Sequence, residues 1–280
     1  GNQKEGYLIE YDPRASEAPN LESMLKKHVL RSRVKIQNVA DEWDVWAAWG
    51  HELSEPERKW RFGSQGAVEP VWENGISTWK GSDSFRVRDL RAVGMGSRIL
   101  TAKDKNPEET QTHETGSAED YTIHRILRGV PEGSVELPAL SALPLNSNMD
   151  IMGGSCYVGQ ELTVRTYHTG VIRRRIYPVQ IYPRDQSPRP METVDKTIPQ
   201  MEATSMTTFK GDAAERGTKP KLLTSIHGVG LAVLRSAQLP NFEKDELRMQ
   251  VKGPDGSIFN VKPWMPSWWP REVIPTDVEQ

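Results

Sequence analysis

Asn148-Met149-Asp150-Ile151-Met152-Gly153-Gly154-Ser155-Cys156-Tyr157-Val158-Gly159-Gln160-Glu161-Leu162-Thr163-Val164-Arg165-Thr166-Tyr167-His168-Thr169-Gly170 is the stretch on which the reading of this 280-residue chain turns. Glycines and a serine just before Cys156 specify a loop, and Gln160-Glu161-Leu162-Thr163 starts a helix behind it. That order sets the thiol near a helix N-terminus, where partial positive charge favours the thiolate. Arg165, His168 and the run Arg173-Arg174-Arg175 add positive potential wherever they fold back toward it. The same spacing also suits a plain alternative, in which Cys156 is a small buried apolar side chain, the commonest fate of a free cysteine. The arginine run likewise reads as the outward face of a strand flanked by Ile172 and Ile176, or as a holder of an anion.

Cys156 is the single cysteine of the chain. An internal disulfide is thereby excluded, and a reducing compartment is expected. The six histidines, His28, His51, His113, His124, His168 and His227, are scattered. A self-contained zinc or cluster site needs several such ligands at close spacing, so any metal handled here requires ligands from elsewhere. Net charge is -2 and the pI near 6.4. That balance provides no global basic field, which argues against nucleic acid as a partner outside a local patch. No run of eighteen apolar residues suggests a membrane span. Gly1-Asn2-Gln3-Lys4 has neither a secretion-signal core nor a transit-peptide pattern, so the expectation is a soluble chain, mature or trimmed.

Working outward, residues 1–117 read as a small α+β unit. Tyr7-Leu8-Ile9-Glu10-Tyr11, Val34-Lys35-Ile36, Asp44 to Trp49 and Phe85 to Leu90 carry strand signals. Asn20 is placed to cap a helix whose Leu21, Met24, Leu25 and Val29 share a stripe, with His28 on it as a core residue. Lys103 to Glu119 reads as an exposed linker, and a helix is expected from Tyr121 to Leu127, ended by Gly129 and Pro131. Residues 118–170 then form the segment that contains Cys156. Residues 171–280 read as a β-barrel, with strands at Ile172–Tyr182, Leu222–Leu234 and Leu247–Val251 and a mobile insertion near 184–219. Gly94-Met95-Gly96 and Gly228-Val229-Gly230 are read as turns rather than phosphate loops. The tryptophans of Trp264-Met265-Pro266-Ser267-Trp268-Trp269-Pro270 are read as a seal on the barrel end.

Cys156-Tyr157-Val158-Gly159-Gln160-Glu161 followed by Arg165-Thr166-Tyr167-His168-Thr169-Gly170-Val171-Ile172-Arg173 resembles the signature of the YgfZ-type proteins, relatives of the folate-binding aminomethyltransferase of the glycine cleavage system. The likeness is strongest to the eukaryotic mitochondrial iron–sulfur assembly branch. Arg125-Ile126-Leu127-Arg128-Gly129-Val130-Pro131-Glu132-Gly133, Pro144-Leu145-Asn146, His227-Gly228-Val229-Gly230-Leu231-Ala232 and Trp268-Trp269-Pro270 add matches in order. The resemblance implies an α+β GcvT-like multidomain fold, with a ferredoxin-like part, a folate-binding-type segment and a C-terminal barrel around a channel.

The same resemblance implies assembly work in the mitochondrial matrix, late in [4Fe-4S] biogenesis with an A-type carrier. Cys156 would be a ligand to a [2Fe-2S] or [4Fe-4S] cluster shared with that partner. Tyr157, Gly159, Gln160, Glu161, Arg165, His168, Arg173 and Arg175 would be motif residues and contacts to an anion or to tetrahydrofolate. The alternatives are a folate-dependent aminomethyl transferase, whose acidic motif is not found here, and a folate-linked tRNA-modification protein. Two departures stand out. The family's loop ending in Lys-Gly before the cysteine is replaced by Gly153-Gly154-Ser155, and the first segment of the folate-binding region is expected to be missing.

Overall fold

The computed structural model describes residues 6–14, 19–50, 58–63, 66–72, 85–139, 141–154, 157, 159–191, 193–217 and 219–271. Helix α1 (Leu21–His28) begins where the sequence places it, because Asn20 Oδ1 accepts from Glu22 N (2.8 Å) and Ser23 N (3.3 Å). No residue of α1 is buried, however. The expected core position of His28 is therefore corrected: an apolar stripe predicts burial only where another element covers it, and His28 is exposed.

Five short strands follow: β1 (Trp43–Ala48), β2 (Lys59–Phe62), β3 (Val68–Val71), β4 (Phe85–Arg88) and β5 (Ser97–Ala102). They form a three-stranded antiparallel sheet in the order β1-β5-β4 and a separate β2-β3 hairpin. The four-stranded sheet of a ferredoxin-like unit is not completed among the described residues. Tyr7–Tyr11 and Val34–Ile36 are also not strands. Their β-forming side chains find no ladder partner there, and Tyr7 and Val34 stay exposed.

The expected linker contains a short 3₁₀ turn, Glu108–Gln111, and stops at Ser117. There a capping box with Asp120 starts α2 (Ala118–Leu127), three residues ahead of the sequence estimate. Gly129 ends it with φ +73°. A single turn, α3 (Gly133–Glu136), and α4 (Glu161–Thr169) complete this part.

Eight strands build one further sheet: β6 (Arg174–Pro183), β7 (Thr204–Ser205), β8 (Thr207–Lys210), β9 (Ala213–Ala214), β10 (Lys221–Ile226), β11 (Val229–Arg235), β12 (Leu247–Lys252) and β13 (Ile258–Pro263), with the short helix α5 (Leu239–Glu243) between β11 and β12. Its strand order is β7-β10-β11-β6-β13-β12-β8-β9. Strands β7 and β8 are separated by Met206 alone, so one kinked run pairs with β10 through its first half and with β12 through its second. Met206 N continues the first pairing by donating to Pro220 O (2.9 Å). Because the covalent chain through Met206 joins the strand beside β10 to the strand beside β12, the sheet curls round on itself as a barrel.

This closure corrects the reading of 184–219 as an insertion. Ile198, Met201 and Met206 from that stretch are buried in the barrel core with Tyr177, Val179 and Leu222. Few apolar residues mark the stretch, but those few face inward. On the outer wall, Ile176, Leu223, Val229 and Leu231 pack against Ile126, with Ile123 and Leu127 of α2 beside them. The C-terminal tryptophans do seal one end: Trp264 and Trp269 are buried, and Trp269 lies 5.4 Å from Tyr177. Trp268 reaches outward to stack on Trp60 (6.4 Å) and donates to Arg128 O (3.2 Å). The Arg58 guanidinium sits over both Trp72 and Trp268 (4.9 Å each), tying the β2-β3 hairpin to this seal.

Candidate functional site

The loop that leads to the signature is fixed from below. Asn148, fully buried with φ +66°, donates from Nδ2 to Ile176 O (2.7 Å). Asp150 accepts a two-pronged pair from Arg175, Nη1 to Oδ1 and Nη2 to Oδ2, each 2.8 Å, and also takes Val68 N (3.1 Å). Arg175 Nη2 donates further to Gly66 O (2.6 Å). One buried ion pair thus joins the loop, the β2-β3 hairpin and β6. The outward-face reading of the arginine run fails at Arg175, which is fully buried, while Arg173 is exposed and Arg174 half-buried. Successive strand residues face opposite ways, so a run of three cannot share one face.

Both glycines before the cysteine are required. Gly153 has φ +77°, and a Cβ on Gly154 would stand 2.2 Å from Met149 Cγ and 2.8 Å from Met149 O. Cys156 lies outside the described residues. Its nearest described neighbours, Gly154 and Tyr157, are exposed. Gly159, at φ +85°, turns the chain into α4. Tyr157 N donates to Gln160 Oε1 (3.1 Å) and the Tyr157 hydroxyl pairs with Thr163 Oγ1, so Tyr157 and Gln160 pin the start of the helix.

Helix α4 buries none of its residues. Glu161, Arg165 and His168 are spaced i, i+4 and i+7 and share one exposed face, acid first and base last, an order that also suits the helix dipole. Leu162 and Val164 are exposed as well. The opposite side holds the helix down through Tyr167, which packs on Ala67, Leu145 and Ile172. Of the residues singled out from the sequence, Tyr157, Gly159, Gln160, Glu161, Arg165 and His168 therefore gather on one surface element. Arg173 follows at its end, and Arg175 is drawn inside.

Three features escaped the sequence reading. Asp150 was one, although an acid among Met149, Ile151 and Met152 was a visible signal. The second is a buried pair in which Arg125 holds both Glu136 oxygens (2.6 Å each), with Arg14 and Glu132 N on the same carboxylate. The third is a cavity of about 2060 Å³ in the N-terminal half, lined by Trp43, Trp46, Trp49 and Tyr121 and bordered by residues 6–14. Trp46 Nε1 is buried there with no partner among the described residues. Beside the cavity His124 stacks on Trp49 (4.5 Å), and burial together with the Arg128 charge pushes its pKa down to about 4. Among the described residues no cluster of His, Cys, Asp and Glu could hold a metal ion, and no helix is long and apolar enough to cross a membrane.

Comparison with known proteins adds to this geometry. A family model described as the C-terminal beta-barrel domain of CAF17 matches residues 173–271, the closed barrel. An iron–sulfur cluster assembly factor IBA57 homolog, mitochondrial, from Cryptococcus neoformans var. neoformans serotype D is 37% identical over 260 residues, covering 83% of this chain and 68% of the relative. Its namesake in Mycosarcoma maydis is 31% identical over 300 residues, covering 97% and 68%. Another in Aspergillus oryzae is 38% identical over 250 residues, covering 82% and 53%.

Proposed function

The chain belongs to the IBA57 family of mitochondrial iron–sulfur cluster assembly factors, and from that premise we propose that it acts late in [4Fe-4S] biogenesis in the matrix, with an A-type carrier as its partner. The observation that carries this reading is α4, a signature helix with no buried residue, mounted on a loop locked by Asp150 and Arg175. A rigid base beneath an exposed, partly apolar helix suits a surface that receives another protein.

Cys156 is the residue assigned to the cargo. One thiolate cannot hold a [2Fe-2S] or [4Fe-4S] cluster, but it completes a ligand set when the partner brings the other cysteines. The cluster is then a substrate in transit. The test is anaerobic mixing with a [2Fe-2S]-loaded A-type carrier, followed by native mass spectrometry and visible absorption, for the parent and Cys156→Ala. A mixed complex that retains iron and sulfide in the parent and loses them in the variant is the expected result. Identical behaviour of the two proteins would remove the ligand role.

A second reading, binding of tetrahydrofolate, draws support from the tryptophan-lined cavity. Its volume exceeds that of a typical small-molecule pocket, and the unpartnered Trp46 Nε1 offers a donor to a planar heterocycle. Trp43 and Trp49 would supply the stacking faces. Quenching of tryptophan fluorescence by tetrahydrofolate, absent in Trp46→Phe, is the corresponding check.

A further inference from the structure

The outer wall of the barrel carries a row of cations that the fold does not neutralise. Arg174 on β6 and Arg235 on β11 are direct cross-strand partners. Both fall on the wall that presents Ile176 and Val233, outside the barrel. Lys221 on β10 stands opposite Val233 and hence diagonal to Arg235. Arg173, one residue before β6, is not part of the row, but its carbonyl accepts from Ser236 N (3.1 Å) and holds the two chain segments side by side there. Lys221 and Arg235 are exposed, and Arg174 is half-buried. None of the three has an ion-pair partner among the described residues.

Like charges directly opposite across strands repel, and the pairing costs stability. Elsewhere the same chain places opposite charges at such positions: Arg61 faces Glu69 across β2 and β3 at 3.6 Å. An Arg–Arg pair where an Arg–Glu pair would be more stable points to selection for something other than stability. The row is also continuous with the signature helix. Gly170, Val171, Ile172 and Arg173 alone separate α4 from Arg174, about 13 Å of extended chain. Val171 on that bridge and Leu162 and Val164 on α4 are exposed apolar residues.

We infer that Arg174, Arg235 and Lys221 form an electrostatic docking face for an acidic protein surface, and that this face orients the incoming carrier against α4. The inference rests on the carrier-dependent reading given above. Cations interleaved with exposed apolar side chains fit a protein interface, whereas a chain of net charge -2 lacks the wide basic field that nucleic acid binding draws on.

The experiment is equilibrium binding of a [2Fe-2S]-loaded A-type carrier, under anaerobic conditions, to the parent, to Arg174→Ser/Arg235→Ser, to the matching double lysine variant and to Cys156→Ala. At about 20 mM salt the serine variant binds roughly tenfold more weakly than the parent, and the gap closes to within about twofold at about 500 mM. The lysine variant keeps parental affinity, and the serine variant melts no lower than the parent because a repulsive pair has been removed. Equal binding by parent and serine variant overturns the docking face, and the assembly reading survives if Cys156→Ala still loses the cluster. Failure of the parent to bind the carrier overturns both readings. A lowered melting temperature in the serine variant makes the row structural and overturns the inference. A serine variant that loses affinity for polyuridylate RNA while keeping the carrier does the same.

Discussion

The barrel buries Tyr177, Val179, Met206, Leu222 and Val251 within a closed ring of strands, whereas the cavity-bearing half leaves Tyr7, Ile9 and Val34 exposed and is held by ion pairs among Arg14, Arg91, Arg125, Glu132 and Glu136. The first arrangement is insensitive to salt, because apolar burial is the main term and the sheet has closed on itself. The second depends on charge, and it surrounds open volume beside a small packed cluster of Ala92, Met95 and Val130. A closed core suits a platform, and a charge-held shell around a cavity suits a region that admits something. The Asp150–Arg175 clasp sits where the two meet, since it ties the signature loop and the β2-β3 hairpin to β6.

Asp150→Ala is the harshest way to break this division. It strands a fully buried arginine, and a loss of about 3–5 kcal/mol is expected in guanidinium unfolding followed by tryptophan fluorescence. A loss below about 1 kcal/mol would mean that the clasp does not unite the halves. Met206→Ala comes next. It empties the kink through which the barrel closes and should cost about 2–4 kcal/mol, equally at low and high salt. A strong salt dependence in that variant would contradict the account of the barrel as an apolar core.

The pH response sharpens the comparison. His124 titrates below its ordinary value, so the unfolded chain takes up this proton first as pH falls. Stability is present above pH 6.5 and is lost as pH falls toward about 4, by on the order of 2 kcal/mol after allowance for solvent screening. His124→Gln should flatten thermal stability across that window. An unchanged slope would assign the acid sensitivity to other groups. The smallest effect is expected at the strap over the cavity. Glu10→Gln removes the ion pair to Arg98 and should cost less than about 1 kcal/mol at low salt and nothing measurable at about 1 M. Melting curves at the two salt concentrations decide it.

Much of the barrel and of the candidate surface was legible because the signals are local. Gly228 announces the β10-β11 turn, although Val229 and Gly230, read as part of that turn, belong to β11; Gly129 ends α2, and Gln160-Glu161 start α4 where the structure has it. The tryptophan seal was legible from the prolines around it. Tyr7–Tyr11 was misread because strand propensity is a statement about fitting beside a partner, and the partner is absent there. Residues 184–219 were misread for the converse reason: polar composition hid Met206, one inward residue that sets the closure.

Arg174 and Arg175 mark the boundary between the two kinds of information. Sequence alone determined that neighbouring residues on β6 face opposite ways, since the period of a strand is two. It also determined the loop-then-helix order around Cys156, through glycines that tolerate backbone no other residue fits. Which arginine turned inward was decided only by tertiary structure. The closing of β7 and β8 onto β10 and β12 defined an inside, and Asp150, twenty-five residues earlier, supplied the charge that makes burial of Arg175 affordable. Arg174, on the outer face beside Arg235, was left with no such partner among the described residues.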